Sequence, residues 1–254
     1  MKRNIILAIL ALLVGLGATA FATGKKNKNE AFEFPIQGNY SKLIVNRGFD
    51  VSFSDSVKAA MVTIPENLKK QMIVEVYSDT LRLDFRGNVK FKKRPTIVLP
   101  RNKRLNNIEL SGTAVLTAGK IEQEVTNIYL TGAAEFRGDI VGKEAHIIQE
   151  GASDYRGHMA VENLFVNLAA ASSMEIRGRV FFKLDIKMIE SSTLDAEKLE
   201  VRRIEGSLDG ASNAIVWCTE RMVVPVKNAS HLIYIGRPLV VNCPTSDVST
   251  VTHK

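Results

Sequence analysis

Residues 128–136 read Ile-Tyr-Leu-Thr-Gly-Ala-Ala-Glu-Phe, and a similar phrase returns about every twenty residues between Leu110 and Ile235. Successive copies start 20, 19, 19, 20, 20 and 18 residues apart, and no cluster of Pro or Gly separates them. A period this regular indicates stacked coils of one solenoid. We call the position of Gly132 and its equivalent in each copy the turn position. In the seven copies it is occupied by Gly112, Gly132, Gly151, Ala170, Glu190, Gly210 and Asn228.

Aligning the copies produces columns with the period of a β-strand. The columns two and four residues before the turn position, and four residues after it, are apolar in nearly every copy. The columns one residue before and three residues after it are mostly polar. Alternation with a period of two is typical of a strand with one buried face, so we expect the apolar columns to form the core. The column four residues after the turn position contains Leu116, Phe136, Tyr155, Met174, Leu194, Ala214 and Leu232.

The two residues that follow the turn position are small in every copy, as in Ala133-Ala134. Equivalent residues of stacked coils lie about 4.8 Å apart, so both positions are predicted to lie inside a tight corner that excludes bulky side chains. Glycine at the turn position predicts unusual backbone angles. Ala170 and Glu190 replace that glycine, and their turns are predicted to use different torsions.

A coil of about twenty residues, at about 3.3 Å each, has a perimeter of about 65 Å, which suits two or three short strands per coil. A leucine-rich horseshoe has a similar period, but its L-x-x-L-x-L pattern and helical spacing are absent from the copies. The sequence therefore predicts an all-β protein, a parallel β-helix or solenoid of about seven coils of 19–20 residues, over residues 106–254.

Residues 31–105 contain alternating strands without a clear twenty-residue register, for example at 40–45, 49–53 and 81–85. We predict that they form an N-terminal β-rich cap over the open end of the solenoid, because unpaired strand edges invite aggregation. Residues 31–254 are then expected to form one continuous domain.

The first residues have the pattern of an export signal. Met1-Lys2-Arg3 is positive, residues 5–16 are apolar, and Ala20-Phe21-Ala22 fits an A-x-A cleavage site. We predict a signal peptide over residues 1–22, a linker over residues 23–30, and export to the periplasm, the outer surface or the medium. A retained membrane anchor is the alternative, although the apolar stretch is shorter than the ~20 residues of a span. No membrane span is expected after cleavage.

Cys218 and Cys243 are the only cysteines, and they lie little more than one repeat apart. In an exported protein such a pair can be oxidised. The sequence predicts either a disulfide between neighbouring coils or two buried free thiols.

The formal net charge of +7 falls to +5 without Lys2 and Arg3. This excess is diffuse, and we expect no basic patch with interleaved aromatic residues and hence no nucleic-acid partner, whereas contact with anionic glycans is compatible with it. The four histidines lack metal-ligand spacing, and no nucleotide-binding motif is present, so we predict no metal and no cofactor.

Three arginines carry the binding hypothesis. Arg137, Arg156 and Arg177 each precede a glycine in three successive copies. If they stack, their guanidinium groups form a row suited to the carboxylate, sulfate or phosphate groups of a repeating glycan. The alternative is surface pairing with the neighbouring acids Glu135, Asp154 and Glu175.

Two carboxylates offer an enzymatic alternative, a carbohydrate-active enzyme. Glu135 and Asp154 occupy the same outward column in adjacent coils, and carboxylates about 5 Å apart support retaining glycoside hydrolysis. Polar residues fill an outward column in any case, and its other members carry no carboxylate. We therefore predict no catalytic residues and no enzyme.

Four segments together resemble the head GIN domain family of auto-transporter adhesins, over residues 34–251. The resemblance implies a right-handed β-helix-like fold and export, with no catalytic residues to carry over. The leading hypothesis is an exported, non-enzymatic binding module for adhesion or glycan contact at the cell envelope. A structural or assembly protein of the envelope is the second hypothesis, and a carbohydrate-active enzyme is the third. The segments are Arg47-Gly-Phe-Asp-Val-Ser-Phe, Gly132-Ala-Ala-Glu-Phe, Gly151-Ala-Ser-Asp-Tyr-Arg-Gly and Tyr234-Ile-Gly-Arg-Pro-Leu-Val-Val.

Overall fold

The computed structural model of the protein describes residues 29–254, with side chains described from residue 31. The predicted signal peptide (residues 1–22) and residues 23–28 of the predicted linker lie outside this range. Among the described residues no helix is long and apolar enough to cross a membrane. The strands are β1 (Asn29–Phe34), β2 (Lys42–Val45), β3 (Asp50–Ser54), β4 (Ala60–Pro65), β5 (Met72–Tyr77), β6 (Thr80–Phe85), β7 (Thr96–Pro100), β8 (Asn107–Leu110), β9 (Val115–Glu122), β10 (Val125–Leu130), β11 (Glu135–Gln149), β12 (Asp154–Leu168), β13 (Ser173–Met188), β14 (Thr193–Leu208), β15 (Asn213–Val223), β16 (His231–Ile235), β17 (Val240–Asn242) and β18 (Thr250–His253), and a 3₁₀ helix covers Glu66–Gln71.

The strands stack in two parallel ladders. Ladder A contains β2, β8, β10, the second halves of β11 to β14, the end of β15, and β17. Ladder B contains β3, β9, the first halves of β11 to β14, the start of β15, and β16 and β18. Each long strand runs from ladder B into ladder A, and a short turn returns the chain to ladder B on the next coil. The predicted parallel β-solenoid is confirmed.

The predicted apolar columns form the core between the ladders. Phe136 lies in register with Leu116 and Tyr155, and every member of this column is at most 2% exposed. The polar columns are half-buried or exposed, except that Val115 is buried. Partial burial follows from the stacking, because the coils on either side cover part of each outward side chain.

The turn position has a positive φ in every copy, with or without glycine, and the turns at Gly210 and Asn228 have a second positive φ at the next residue. Ala170 and Glu190 have φ values of 60° and 63°, next to 73° for Gly132, so the prediction of different torsions there is wrong. A left-handed conformation costs a non-glycine residue about 1–2 kcal/mol, and the hydrogen bonds between stacked coils hold it in place. The same conformation recurs at Arg47 and Asp247, which add one turn at each end of the seven predicted from the repeat.

The two small residues after the turn position have different environments. Ala134 and Ser172, at the second position, are buried, and so is the equivalent residue of every copy. Ala133 and Ala171, at the first position, are exposed. The prediction that both positions lie inside the corner is therefore wrong for the first one, whose side chain leaves the coil toward solvent.

Residues 29–105 build on the same ladders. β2 and β3 pair in parallel with β8 and β9, although β4 to β7 lie between them in the sequence. β6 and β7 pair with the other edges of β2 and β3. β5 and β4 then add in antiparallel orientation, and β1 joins β4. Strand pairing thus crosses residue 105, and the division into a cap and a solenoid stays a prediction.

Candidate functional site

A groove of about 570 Å³ crosses the outer face of ladder B on five successive coils, β9 and β11 to β14. Four coil spacings give it a length of about 19 Å. We call it the coil groove. Glycines at 119, 138 and 157 line it with backbone alone, since a Cβ on Gly157 would lie 1.9 Å from the carbonyl oxygen of Gly138. It is lined by Thr117, Gly119, Arg137, Gly138, Asp139, Arg156, Gly157, Glu175, Ile176, Arg177, Asp195, Glu197 and Lys198.

Two of the predicted arginines are neighbours and both carry ion pairs. Arg137 and Arg156 lie in register on β11 and β12. Glu135 Oε1 accepts a hydrogen bond from Arg137 Nε at 2.5 Å, and Asp154 Oδ2 lies 3.0 Å from Arg156 Nε. Glu175 lies 4.0 Å from Arg156. At these two positions the geometry agrees with the alternative of surface pairing.

The third arginine is not in line with the other two. Arg156 lies in register with Glu175, and Arg177 lies in register with His158 and Lys198. The prediction of a single stacked row is therefore wrong in register. Arg137 stands five residues after its turn position and Arg177 stands seven residues after its own, so the shared Arg-Gly pair does not mark equivalent sites. All three arginines nevertheless line the coil groove.

Arg177 and Lys198 form an open pair of cations. They lie on adjacent strands, both side chains are exposed, and within residues 29–254 neither has an ion pair. Like charges side by side on a sheet repel each other. An anion bound between them would remove that repulsion, which makes this pair the part of the groove best suited to an acidic ligand.

The two carboxylates of the enzymatic hypothesis are adjacent as predicted. Glu135 and Asp154 lie in register and are half-buried. Burial raises the pKa of Asp154, Arg156 lowers it, and Glu135 raises it further, with a net increase. Each carboxylate is held by the arginine two residues further along its own strand, as described above. The two carboxylates and the two arginines therefore form ion pairs on the outer surface of neighbouring coils.

Within residues 31–254 the cysteines and histidines form no site together. The structure has Cys218 as a buried free thiol and Cys243 as a half-buried one, and burial raises the pKa of both. The disulfide stays a prediction. His146 stacks on Phe165 with ring centroids 4.5 Å apart. The described part of the chain holds no cluster of three or more His, Cys, Asp or Glu side chains that could bind a metal ion.

A second charged surface lies outside the predicted sites. The segment 86–94, which we call the basic loop, connects β6 to β7 and contains five exposed cations around Phe91. The expectation that no basic patch surrounds an aromatic residue is therefore wrong. The signal is present in the sequence as a run of cations without an acidic residue. These cations are Arg86, Lys90, Lys92, Lys93 and Arg94.

The fold and the groove define a parallel β-solenoid protein that presents a long outer face lined by side chains. The chain belongs to the family described as "Putative auto-transporter adhesin, head GIN domain", whose model matches residues 39–238. The resemblance drawn from the turn segments is confirmed. No curated protein matches the chain.

Solved structures of low sequence identity share the fold. A protein described as a putative adhesin from Parabacteroides distasonis is 18% identical with a TM-score of 0.79, and the match covers 90% of this chain and 98% of that one. Another described in the same way, from Parabacteroides merdae, is 14% identical with a TM-score of 0.77, covering 89% and 95% of the two chains. A third, described as a putative lipid binding protein from Parabacteroides distasonis, is 19% identical with a TM-score of 0.74, covering 91% and 98%.

Proposed function

We propose that the protein is an exported, non-enzymatic binding module that contacts an acidic glycan of the cell envelope through the coil groove. Membership of an adhesin-named family supports export and surface binding. The observation that carries the proposal is the open pair of Arg177 and Lys198, whose two cations are exposed and form no ion pair within 4 Å among the described side chains, residues 31–254.

A glycan fits the groove better than a compact anion does. The groove crosses five coils, so that several successive units of a repeating chain can contact it at the same time. Several weak contacts along one polymer add up to useful avidity. Asp195 and Glu197 also line the groove near the open pair, and carboxylates accept hydrogen bonds from sugar hydroxyl groups.

Other functions find less support in the geometry. Catalysis by Glu135 and Asp154 would have to compete with their ion pairs to Arg137 and Arg156. One neighbouring structure is described as a putative lipid binding protein, but the coil groove of this chain is lined by charged side chains and suits no acyl chain. A structural or assembly role makes no use of the open pair.

The test is the affinity of the full chain for a short sulfated uronic-acid oligosaccharide, measured by calorimetry at low salt. The double variant Arg177→Gln with Lys198→Gln should bind at least about tenfold more weakly, because a hydrogen bond to a charged group contributes about 1.5–3 kcal/mol. Binding by the parent should weaken as salt rises, since exposed charges are screened.

A matched control removes the same charge from the same two coils on the other ladder. Lys187 and Arg203 are exposed on ladder A, so Lys187→Gln with Arg203→Gln should leave the affinity unchanged. Equal weakening in both double variants would mean that net charge alone matters. Parent-like binding by the Arg177 and Lys198 variant would show that the groove is not the site.

A further inference from the structure

The basic loop is the most concentrated charge on the molecule, and the proposed function makes no use of it. Its five cations lie within nine residues and no acidic residue lies between them. All five side chains are exposed, and among the described residues none of them has an ion pair. Elsewhere on the solenoid many cations are paired, as Arg179 is with Glu200.

The loop is anchored to the fold at its centre and its end. Phe91 packs on Phe85 with ring centroids 6.1 Å apart, and its ring occupies the place of a side chain at Gly48, where a Cβ would lie 2.5 Å from it. At the end of the loop Pro95 is buried, and its carbonyl accepts a hydrogen bond from Asp50 N at 2.9 Å. The apolar residues hold the loop on the coil, and the cations around them face solvent.

Charge is divided unevenly between the two parts of the chain. Residues 29–105 contain 14 Lys and Arg against 8 Asp and Glu, a net charge of +6. Residues 106–254 contain 15 Lys and Arg against 19 Asp and Glu, a net charge of −4. An anionic surface therefore attracts the N-terminal end of the solenoid and repels the remainder, which orients the molecule.

The chain also enters the described fold at this end. β1, which begins at Asn29, is the outermost strand beyond β4 and β7, and the basic loop leads directly into β7. In the sequence, Lys25, Lys26 and Lys28 come immediately before β1.

We propose that the basic loop docks the N-terminal end of the solenoid on an anionic phospholipid surface. Lysine and arginine near such a surface each add to binding, and several together make it stable. A planar array of phosphates can meet several cations of this exposed loop at once. A linear polyanion would need a track, and the groove that could serve as one lies on the outer face of ladder B, on later coils.

The test measures cosedimentation of the full chain with phosphatidylcholine vesicles, with and without about 30% phosphatidylglycerol. Pure phosphatidylcholine reports any contribution of the apolar segment at residues 5–16, which is the same in all variants. The parent should bind the anionic vesicles at least about tenfold more tightly, and raising the salt from about 0.1 M to about 0.5 M should abolish the difference. The loop variant replaces Lys90, Lys92, Lys93 and Arg94 with Gln. It should lose the preference for anionic vesicles.

The control variant removes the same charge from exposed cations of the solenoid, by replacing Lys187, Arg203, Arg221 and Lys227 with Gln. It should keep the preference for anionic vesicles, whereas equal losses in the two variants would overturn the proposal. Phe91 stays in place in the loop variant, and matching circular dichroism melts would show that both variants are folded. Binding through the loop to dextran sulfate, with none to vesicles, would also overturn it in favour of a soluble polyanion.

Discussion

The turn at Arg47 and the repeat turn at Gly112 have similar backbone conformations and different side chains. Arg47 has a φ value of 68°, close to the 71° of Gly112. The amide of Thr113 donates to the Arg47 carbonyl, just as the amide of Ala133 donates to the carbonyl of Gly112. Two residues after the turn position, however, the repeat has a buried Ala or Ser, whereas the N-terminal turn has the buried Phe49.

Phe49 fits because the neighbouring coil is open at this corner. β6 does not turn directly into β7, since the basic loop lies between them, and Phe49 stacks on Phe85 with ring centroids 4.6 Å apart. Arg47 Nε donates to Asp84 Oδ1 at 3.0 Å. The ladder hydrogen bonds therefore fix the backbone of a turn, and its side chains are determined by what the next coil places beside them.

The largest effect is expected from Phe49→Ala. The substitution removes a fully buried ring from the end of the core and should lower the free energy of unfolding by about 3–5 kcal/mol. Chemical denaturation followed by circular dichroism measures the change. Phe182→Ala, at a side chain that is 42% exposed on β13, is the control and should cost far less.

The same variant tests how far the N-terminal turn is coupled to the solenoid. Trp217 is the only tryptophan and lies on β15, several coils away. If residues 29–254 unfold as one unit, its fluorescence transition should shift together with the circular dichroism transition. A shift confined to circular dichroism would show that the N-terminal coils unfold separately, as the predicted boundary at residue 105 implies.

A smaller loss is expected from Asp84→Asn. Burial raises the pKa of Asp84, but the hydrogen bonds from Asn46, Arg82, Phe85 N and Arg47 outweigh it and hold the pKa below its usual value. Removing the charge should cost about 1.5–3 kcal/mol at neutral pH.

The pH dependence has a definite sign. A carboxyl whose pKa is lowered by folding stabilises the fold above its unfolded pKa, about 3.9, and this contribution is lost as the pH falls through the folded value. The parent should therefore lose stability below about pH 4, and the Asp84→Asn variant should show a shallower loss over the same range. Parallel curves for the two proteins would exclude Asp84 as a source of acid sensitivity.

The repeat made most of the solenoid predictable, because each column of side chains meets the same column one coil away. Phe136 and Tyr155 could be placed in the core from spacing alone. The coil at Arg47 could not be recognised in that way, because β4 to β7 interrupt the chain between it and the next coil in space. Sequence period reveals only those coils that follow each other in the chain.

The candidate site was predictable in part. The three arginines do line one groove, but matching their Arg-Gly pairs placed Arg177 beside Arg156, whereas counting from the turn position places Glu175 there. Counting would have paired Arg177 with Glu197, but the register shifts between Glu175 and Arg177, and the shift places Arg177 beside Lys198. The left-handed conformation of Ala170 could not be predicted for a different reason. The neighbouring coils impose it, and an alanine in the sequence does not indicate it.

The smallest of these effects compares two adjacent residues of one repeat turn. Ser172 is 1% exposed, and its hydroxyl has no hydrogen-bond partner within residues 29–254, so Ser172→Leu tests the volume of the corner. It should lower the free energy of unfolding by about 1–3 kcal/mol through overpacking. Ala171→Leu, at the exposed position, should change it by about 0.5 kcal/mol or less. Similar denaturation midpoints for the two variants would mean that the repeat corner has as much room as the turn that holds Phe49, and the contrast between the two kinds of turn would then lose its steric basis.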